Sequence, residues 1–171
     1  MKREKVTLAS LEHEVREWLE HGRGSPNEEL IAEMMQTVLK LAGDEAARGD
    51  LKILNRALKE LRYAFKIFAP YRSVRKVSIF GSTRVPEQDP YYQLAVRLGR
   101  RLAEEGFMVI TGAGTGIMQA GHEGAGKERS FGVNIQLPAV QPPNRFIRHD
   151  RKLMTFHFFF TRKLIFVKEA D

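Results

Sequence analysis

The stretch Phe107-Met-Val-Ile-Thr-Gly-Ala-Gly-Thr-Gly-Ile-Met118 decides how the rest of the chain is read. An apolar run, Phe107 to Ile110, leads into Thr111 and a glycine at every second position, and a helix-like segment, Gln119 to Lys127, follows. Strand, glycine loop and helix is the arrangement that cradles a phosphate. Gly112, Gly114 and Gly116 permit φ > 0 and bring backbone N–H groups close to an anion. A helix starting there adds unpaired N–H donors and the positive end of its dipole. The same residues serve equally well as a tight strand-to-helix turn that binds nothing.

Working outward, Lys76-Val-Ser-Ile-Phe80 is a short β-branched run that ends in the turn Gly81-Ser82-Thr83-Arg84. Asp89-Pro90 opens a helix carrying Tyr92, Leu94, Ala95, Leu98 and Leu102, and Gly106 closes it. A third strand is predicted over Gly132 to Leu137, ending at Pro138. The proline-rich Ala139 to Asn144 reads as a loop. Leu153 to Phe160 reads as a further, buried strand. Thr161 to Ala170 reads as a helix with Leu164, Ile165 and Val167 inward and with Arg162 and Lys163 exposed in its first turn. A cation there opposes the helix dipole by roughly a few tenths of a kcal/mol, a cost that a bound anion would offset.

This order predicts an α/β fold: a Rossmann-like parallel sheet with right-handed crossovers and flanking helices. Ligands of such sheets sit beyond the carboxyl ends of the strands. Gly81 to Arg84, Thr111 to Gly116 and Leu137-Pro138 share that edge.

Before the sheet, residues 1–72 read as a small helical region, and residues 73–171 as the Rossmann-like nucleotide-binding domain. Ser10 is placed to cap a first helix that stops near Gly22 to Gly24. Ser25-Pro26 opens a second helix, with Leu30, Ile31, Met34, Met35, Val38 and Leu41 as its stripe. A third begins near Asp50 and presents Leu51, Leu54, Leu58, Leu61, Phe65 and Phe68, and Pro70 to Ser73 reads as a linker. None of these stripes carries a constellation of chemical residues.

The totals narrow the possibilities. A chain of 171 residues is one ordinary domain, or a small domain with part of another. It has no cysteine, which excludes disulfides, thiol catalysis and cysteine zinc sites and fits a cytoplasmic protein. No apolar run reaches the roughly 18 residues of a membrane span. The net charge of +7 falls after Tyr71, with Arg145, Arg148, Arg151, Lys152, Arg162, Lys163 and Lys168 towards the end. An anionic ligand or a solvated basic face would each account for it.

Gly116-Ile-Met118 lacks the Lys-Ser/Thr of a Walker A loop. A dinucleotide fingerprint would follow the first strand and precede an acidic residue on the next, but this loop follows the second strand, and the third carries Asn134 and Gln136. His122-Glu123 has no second histidine at helical spacing and His157 stands among aromatics, so no metal site is predicted.

Ser78-Ile-Phe-Gly-Ser-Thr-Arg84, Thr111 to Met118, Gly132-Val-Asn-Ile-Gln-Leu-Pro138 and Phe160-Thr-Arg-Lys163 together resemble the Lonely Guy (LOG) family, long carried under a lysine-decarboxylase label. The helical N-terminal part resembles the extension of its larger bacterial members. The resemblance implies a dimeric, nucleoside-monophosphate-binding protein and phosphoribohydrolase activity, in which water cleaves the N-glycosidic bond of AMP or a cytokinin nucleotide to give free base and ribose 5-phosphate. No cofactor is implied, pyridoxal phosphate included. Arg162 matches the arginine of the family's Arg-Lys motif and takes the catalytic role. Gly81, Ser82, Thr111, Gly112, Gly114, Thr115, Gly116 and Lys163 are the implied substrate-binding residues.

The family's other hallmark, Pro-Gly-Gly-x-Gly-Thr-x-x-Glu, is expected just after Asp171. It supplies phosphate-binding backbone and the catalytic glutamate, and the strand beside the first strand is expected next. The expectation is therefore a truncated chain with an incomplete sheet, weakened nucleotide binding and no assured hydrolytic activity. Two other readings stay open: a non-catalytic nucleotide- or cofactor-binding protein, and a basic nucleic-acid binder. Against the last, no aromatic–basic interleaving occurs on the edge loops.

Overall fold

The computed structural model describes residues 8–21, 26–137 and 142–171. It divides into two compact units, Met1–Leu51 and Lys52–Asp171. In the first lie α1 (Leu8–His21), α2 (Glu28–Gly43) and the start of α3 (Arg48–Phe68). Ser10 is inside α1 and does not cap it. Glu28 and Glu29 in the first turn of α2 and Lys40 in its last suit the helix dipole. The predicted stop at Gly22 to Gly24, the Ser25 cap, Pro138 and the first residues of the proline-rich loop lie outside the described residues.

The second unit is built on a four-stranded, all-parallel sheet in the order β1-β2-β3-β4. The strands are β1 (Lys76–Ile79), β2 (Met108–Thr111), β3 (Ser130–Ile135) and β4 (Leu153–Phe156). Between and after them come α4 (Pro90–Glu104), α5 (Ile117–Ala125) and α6 (Phe159–Glu169). Every residue of β2 is buried, as expected of a parallel strand covered on both faces. On one face Met108, Ile110, Phe131, Val133, Met154 and Phe156 pack with Ala64 and Phe68 of α3 and Ile165 and Phe166 of α6. On the other, Ile79 and Val109 meet Ala125, and Tyr92, Ala95 and Val96 of α4 pack on Ala120 of α5. The predicted Rossmann-like α/β fold is thus present, with helices on both faces.

α4 follows its sequence signals closely. Asp89 Oδ1 accepts from Tyr91 N at 2.8 Å, Pro90 fills the first turn, and Gly106 follows the helix with φ +84°. α4 and α5 approach until backbone meets backbone: a Cβ at Gly99 or Gly124 would overlap the main chain of the facing helix.

Four expectations are corrected. Pro70 to Ser73 is no linker. Ala69–Tyr71 forms a 3₁₀ turn, and Tyr71 sits edge-on to Phe131 at 5.2 Å, beside Phe68 stacked on the same ring at 4.2 Å. β3 lies two residues earlier than predicted. β4 stops at Phe156 because His157 N turns to the Glu60 carboxylate at 2.9 Å, so Phe159 and Phe160 are helical and exposed. The inward face of α6 is Thr161, Ile165, Phe166 and Glu169, leaving Leu164 and Val167 outside. Two members of that face are polar, which hid it from a reading by hydrophobicity.

At the outer edge of β1, Asp171 N donates to Lys76 O at 3.0 Å and Asp171 Oδ2 accepts from Lys76 N at 2.8 Å. Among the described residues no helix is long and apolar enough to cross a membrane.

Candidate functional site

The glycine loop leaves β2 at the carboxyl edge of the sheet. Thr111 Oγ1 accepts from Ala113 N at 2.9 Å, and this local bond turns the chain. Ala113 then takes φ +61°, a conformation costly for a residue with a Cβ, and Gly116 takes φ +64° before α5 begins. The turn after β1 interlocks with this loop. Ile117 N donates to Ser82 O at 3.1 Å, and Thr115 Oγ1 donates to Thr83 O at 2.9 Å. A Cβ on Gly116 would overlap the backbone of Ser82 and Thr83, and one on Gly81 the side chain of Ile117. Gly81, Ser82, Gly112, Gly114, Thr115 and Gly116 therefore share one edge, with Gly114 and Thr115 half-buried and Gly81 and Ser82 exposed.

Arg162 reaches this loop from the first turns of α6. Its Nε donates to Val133 O of β3 at 2.8 Å, and its guanidinium lies where a Cβ of Gly112 would be. Phe166, one turn on, supports it with its ring centroid 5.3 Å away. The side chain, expected to be exposed, is half-buried. Burial lowers its pKa, though a guanidinium stays charged at any physiological pH. Among the described residues no carboxylate pairs with it. Lys163 is exposed on the same helix, and no hydrogen bond joins it to the loop.

Behind the loop lies a buried polar chain that includes Thr111, whose side chain is fully buried and faces inward. The His122 ring is fully buried on α5. Its Nε2 is 3.0 Å from Phe131 O and 3.1 Å from Thr111 Oγ1. A carbonyl cannot donate, so Nε2 carries the proton and Nδ1 is an acceptor. Asn144 Nδ2 is 3.1 Å from Nδ1 and donates to Gly114 O at 3.0 Å, while Asn144 Oδ1 accepts from Phe146 N at 3.2 Å. Asn144 N also donates to Ala113 O at 2.8 Å. Burial holds the His122 pKa below its ordinary value of 6.5.

The neighbouring carboxylates are already engaged. Gln119 Nε2 donates to Glu87 Oε1 at 2.7 Å, and Arg145 pairs with the same group at 3.1 Å. Tyr92 OH donates to Glu123 Oε2 at 2.7 Å, and burial together with that carboxylate pushes the phenol up to about 12. Elsewhere, a cleft of about 170 Å³ between α3 and β4 is lined by Arg56, Lys59, Tyr63 and His157. Glu60 forms part of its wall.

The sequence pointed to the glycines, Ser82 and Arg162, which the fold assembles. It did not point to Val133 O, His122 or Asn144 as parts of the same structure. His122 and Asn144 are 22 residues apart with no spacing rule between them, and the signal exists only once β3 and the loop after it are in place.

A parallel sheet with a glycine loop and a cation at its carboxyl edge defines a nucleotide-related protein of Rossmann-like fold. The chain belongs to the SLOG cluster4 family, whose model matches residues 74–171. The SLOG superfamily includes the LOG proteins that the motifs resemble. No curated protein matches the chain.

Proposed function

We propose that the protein is a nucleoside 5′-monophosphate phosphoribohydrolase acting on AMP or a cytokinin riboside monophosphate. The observation that carries this reading is Arg162, a half-buried cation without a carboxylate partner among the described residues, seated on Gly112 of the glycine loop. Taking a guanidinium partly out of water without a counter-ion is costly, and an anion at the loop offsets that cost. A phosphate there would receive charged hydrogen bonds from Arg162, with loop N–H groups beside it. Lys163, Ser82 and Thr115 complete the substrate-binding set.

In the reaction, water adds to C1′ as the bond from C1′ to the base nitrogen breaks. The base leaves with a proton, and ribose 5-phosphate remains. By analogy with O-glycosides the transition state is oxocarbenium-like and needs a carboxylate near C1′. The resemblance assigns that role to the glutamate of the family's Pro-Gly-Gly-x-Gly-Thr-x-x-Glu motif.

Support for a homodimer comes from α6. Phe160, Leu164 and Val167 recur at helical spacing and are 56%, 47% and 79% exposed. A second copy packed there would lie beside the helix that carries Arg162.

The test is to incubate the protein with AMP and other nucleoside monophosphates, measuring binding by calorimetry and products by chromatography. Nucleotide binding is expected, with free base and ribose 5-phosphate where the chain carries the motif glutamate. The engaged state of Glu87 and Glu123 favours a second reading, a nucleotide binder without hydrolysis, which predicts binding and no product. Absence of both rejects the proposal.

A further inference from the structure

We infer that Thr111, His122 and Asn144 form a positioning chain that holds the glycine loop in its anion-receiving shape, with His122 as a neutral Nε2–H tautomer at its centre. The inference rests on the reading that this loop takes a phosphate.

The loop adopts a shape that its own residues do not favour, since Ala113 sits at φ +61°. Non-glycine residues in that region persist only where surrounding contacts over-determine them. Here three contacts do so. Thr111 Oγ1 accepts from Ala113 N, Asn144 N donates to Ala113 O, and Asn144 Nδ2 donates to Gly114 O. The two polar side chains that make these contacts are in turn held by one ring. His122 Nε2–H is shared between Phe131 O and Thr111 Oγ1, and Nδ1 receives Asn144 Nδ2.

The arrangement has one consistent proton assignment. Asn144 has two N–H donors, and Gly114 O and His122 Nδ1 use both, while its oxygen serves Phe146 N. Rotating the amide would turn its oxygen away from Phe146 N and leave Gly114 O unpartnered. A proton on Nδ1 would face the Asn144 N–H at 3.1 Å, nearer than Asn144 Oδ1 at 3.4 Å, and would leave Nε2 bare against Phe131 O. The ring therefore acts as a peg between β2, β3 and the segment carrying Asn144, and it reaches the ligand only through the loop. These are positioning residues, since none of the three need touch a nucleotide.

The experiment compares wild type with Thr111→Val, Thr111→Ser and Asn144→Asp. Three quantities are read: amide hydrogen exchange at residues 112–116 without ligand, affinity for AMP and for inorganic phosphate, and the ¹⁵N signature of the His122 ring in wild type. Thr111→Val keeps the side-chain shape and removes the acceptor; Thr111→Ser restores it. Asn144→Asp removes both amide donors. The expected result is faster loop exchange in Thr111→Val and Asn144→Asp, and affinity lowered by at least about tenfold, the equivalent of one or two net hydrogen bonds. Thr111→Ser should recover most of both.

Unchanged loop exchange in Thr111→Val, or lost stability with affinity intact, overturns the inference. So does an Nδ1–H signature in the wild-type ring, a result that holds even where variants fail to fold. If wild type binds neither AMP nor phosphate, the phosphoribohydrolase reading fails by itself, and loop exchange still decides whether the chain positions the loop.

Discussion

Arg162 Nε donates to the carbonyl oxygen of Val133 at 2.8 Å, and this bond from α6 to the middle of β3 aims the guanidinium at Gly112. The anchor uses one edge of the group and leaves the other nitrogens for an anion. Arg162→Lys keeps the charge but has no planar fork to hold Val133 O and a phosphate together. Under the proposed function, both Arg162→Lys and Arg162→Ala should weaken mononucleotide binding by roughly ten- to a hundredfold, the equivalent of one or two charge-assisted hydrogen bonds. Folding should change by only about 1 kcal/mol, since one partly exposed hydrogen bond is lost. Calorimetric titration beside chemical denaturation separates the two effects.

Two glycines of the loop should respond in opposite ways. At Gly112 an added Cβ meets the ends of two flexible side chains, Arg162 and Met118. Gly112→Ala should therefore fold and lose affinity, because the arginine head is displaced. At Gly116 the Cβ would meet the backbone of Ser82 and Thr83, and φ is +64°. Gly116→Ala should cost more than about 2 kcal/mol from strain and overlap combined. Thermal melting of the two variants, with and without AMP, distinguishes them.

The pH dependence of stability follows from two depressed pKa values. His122 is held below 6.5 by burial, so between its folded value and 6.5 the unfolded chain binds more protons. Its contribution is complete above 6.5 and is lost as pH falls below that value. The ring faces Thr111, Phe131 O and Asn144, none of them charged. Asp150 acts lower on the scale. Burial alone would raise it, but Lys152, which hydrogen-bonds it through N and Nζ, holds it below 3.8. That contribution is present above 3.8 and disappears as pH drops further. The melting temperature should thus fall in two stages on acidification, and His122→Gln should flatten the first while lowering the plateau.

What the sequence made legible is what neighbours in the chain determine. Asp89-Pro90 and Gly106 bracketed α4 because a cap, a first-turn proline and a left-handed stop act within a few residues. The buried runs of β1 to β3 and the loop glycines were visible for the same reason. The limits of β4 and α6 were not, because they depend on Glu60, a residue about a hundred positions away. The position of Thr111 was read, but its role as an inward-facing acceptor required the ring of His122. Arg162 was picked out by its motif, and its half-burial depended on a carbonyl of β3 that no periodicity marks.

Glu60 makes that dependence testable. This buried carboxylate of α3 accepts from His157 N at 2.9 Å, His157 Nδ1 at 3.1 Å and Thr161 Oγ1 at 2.7 Å. It ends β4 and holds Thr161 in the first turn of α6, one residue before Arg162. Glu60→Ala leaves the His157 backbone N–H without its acceptor and the Thr161 hydroxyl with only Phe158 O at 3.0 Å, which should cost about 1–3 kcal/mol. Glu60→Gln keeps one acceptor oxygen but turns an N–H₂ towards a donor, so an intermediate loss is expected. Urea denaturation should show a lower midpoint with an unchanged m-value in both. Because Thr161 and Arg162 are adjacent, the α6 start should loosen before the rest of the unit opens. Hydrogen exchange at residues 159–163 should then rise in Glu60→Ala more than at residues 108–111. Equal acceleration in both segments would mean that Glu60 stabilises the unit globally and does not specifically hold the arginine's helix in register.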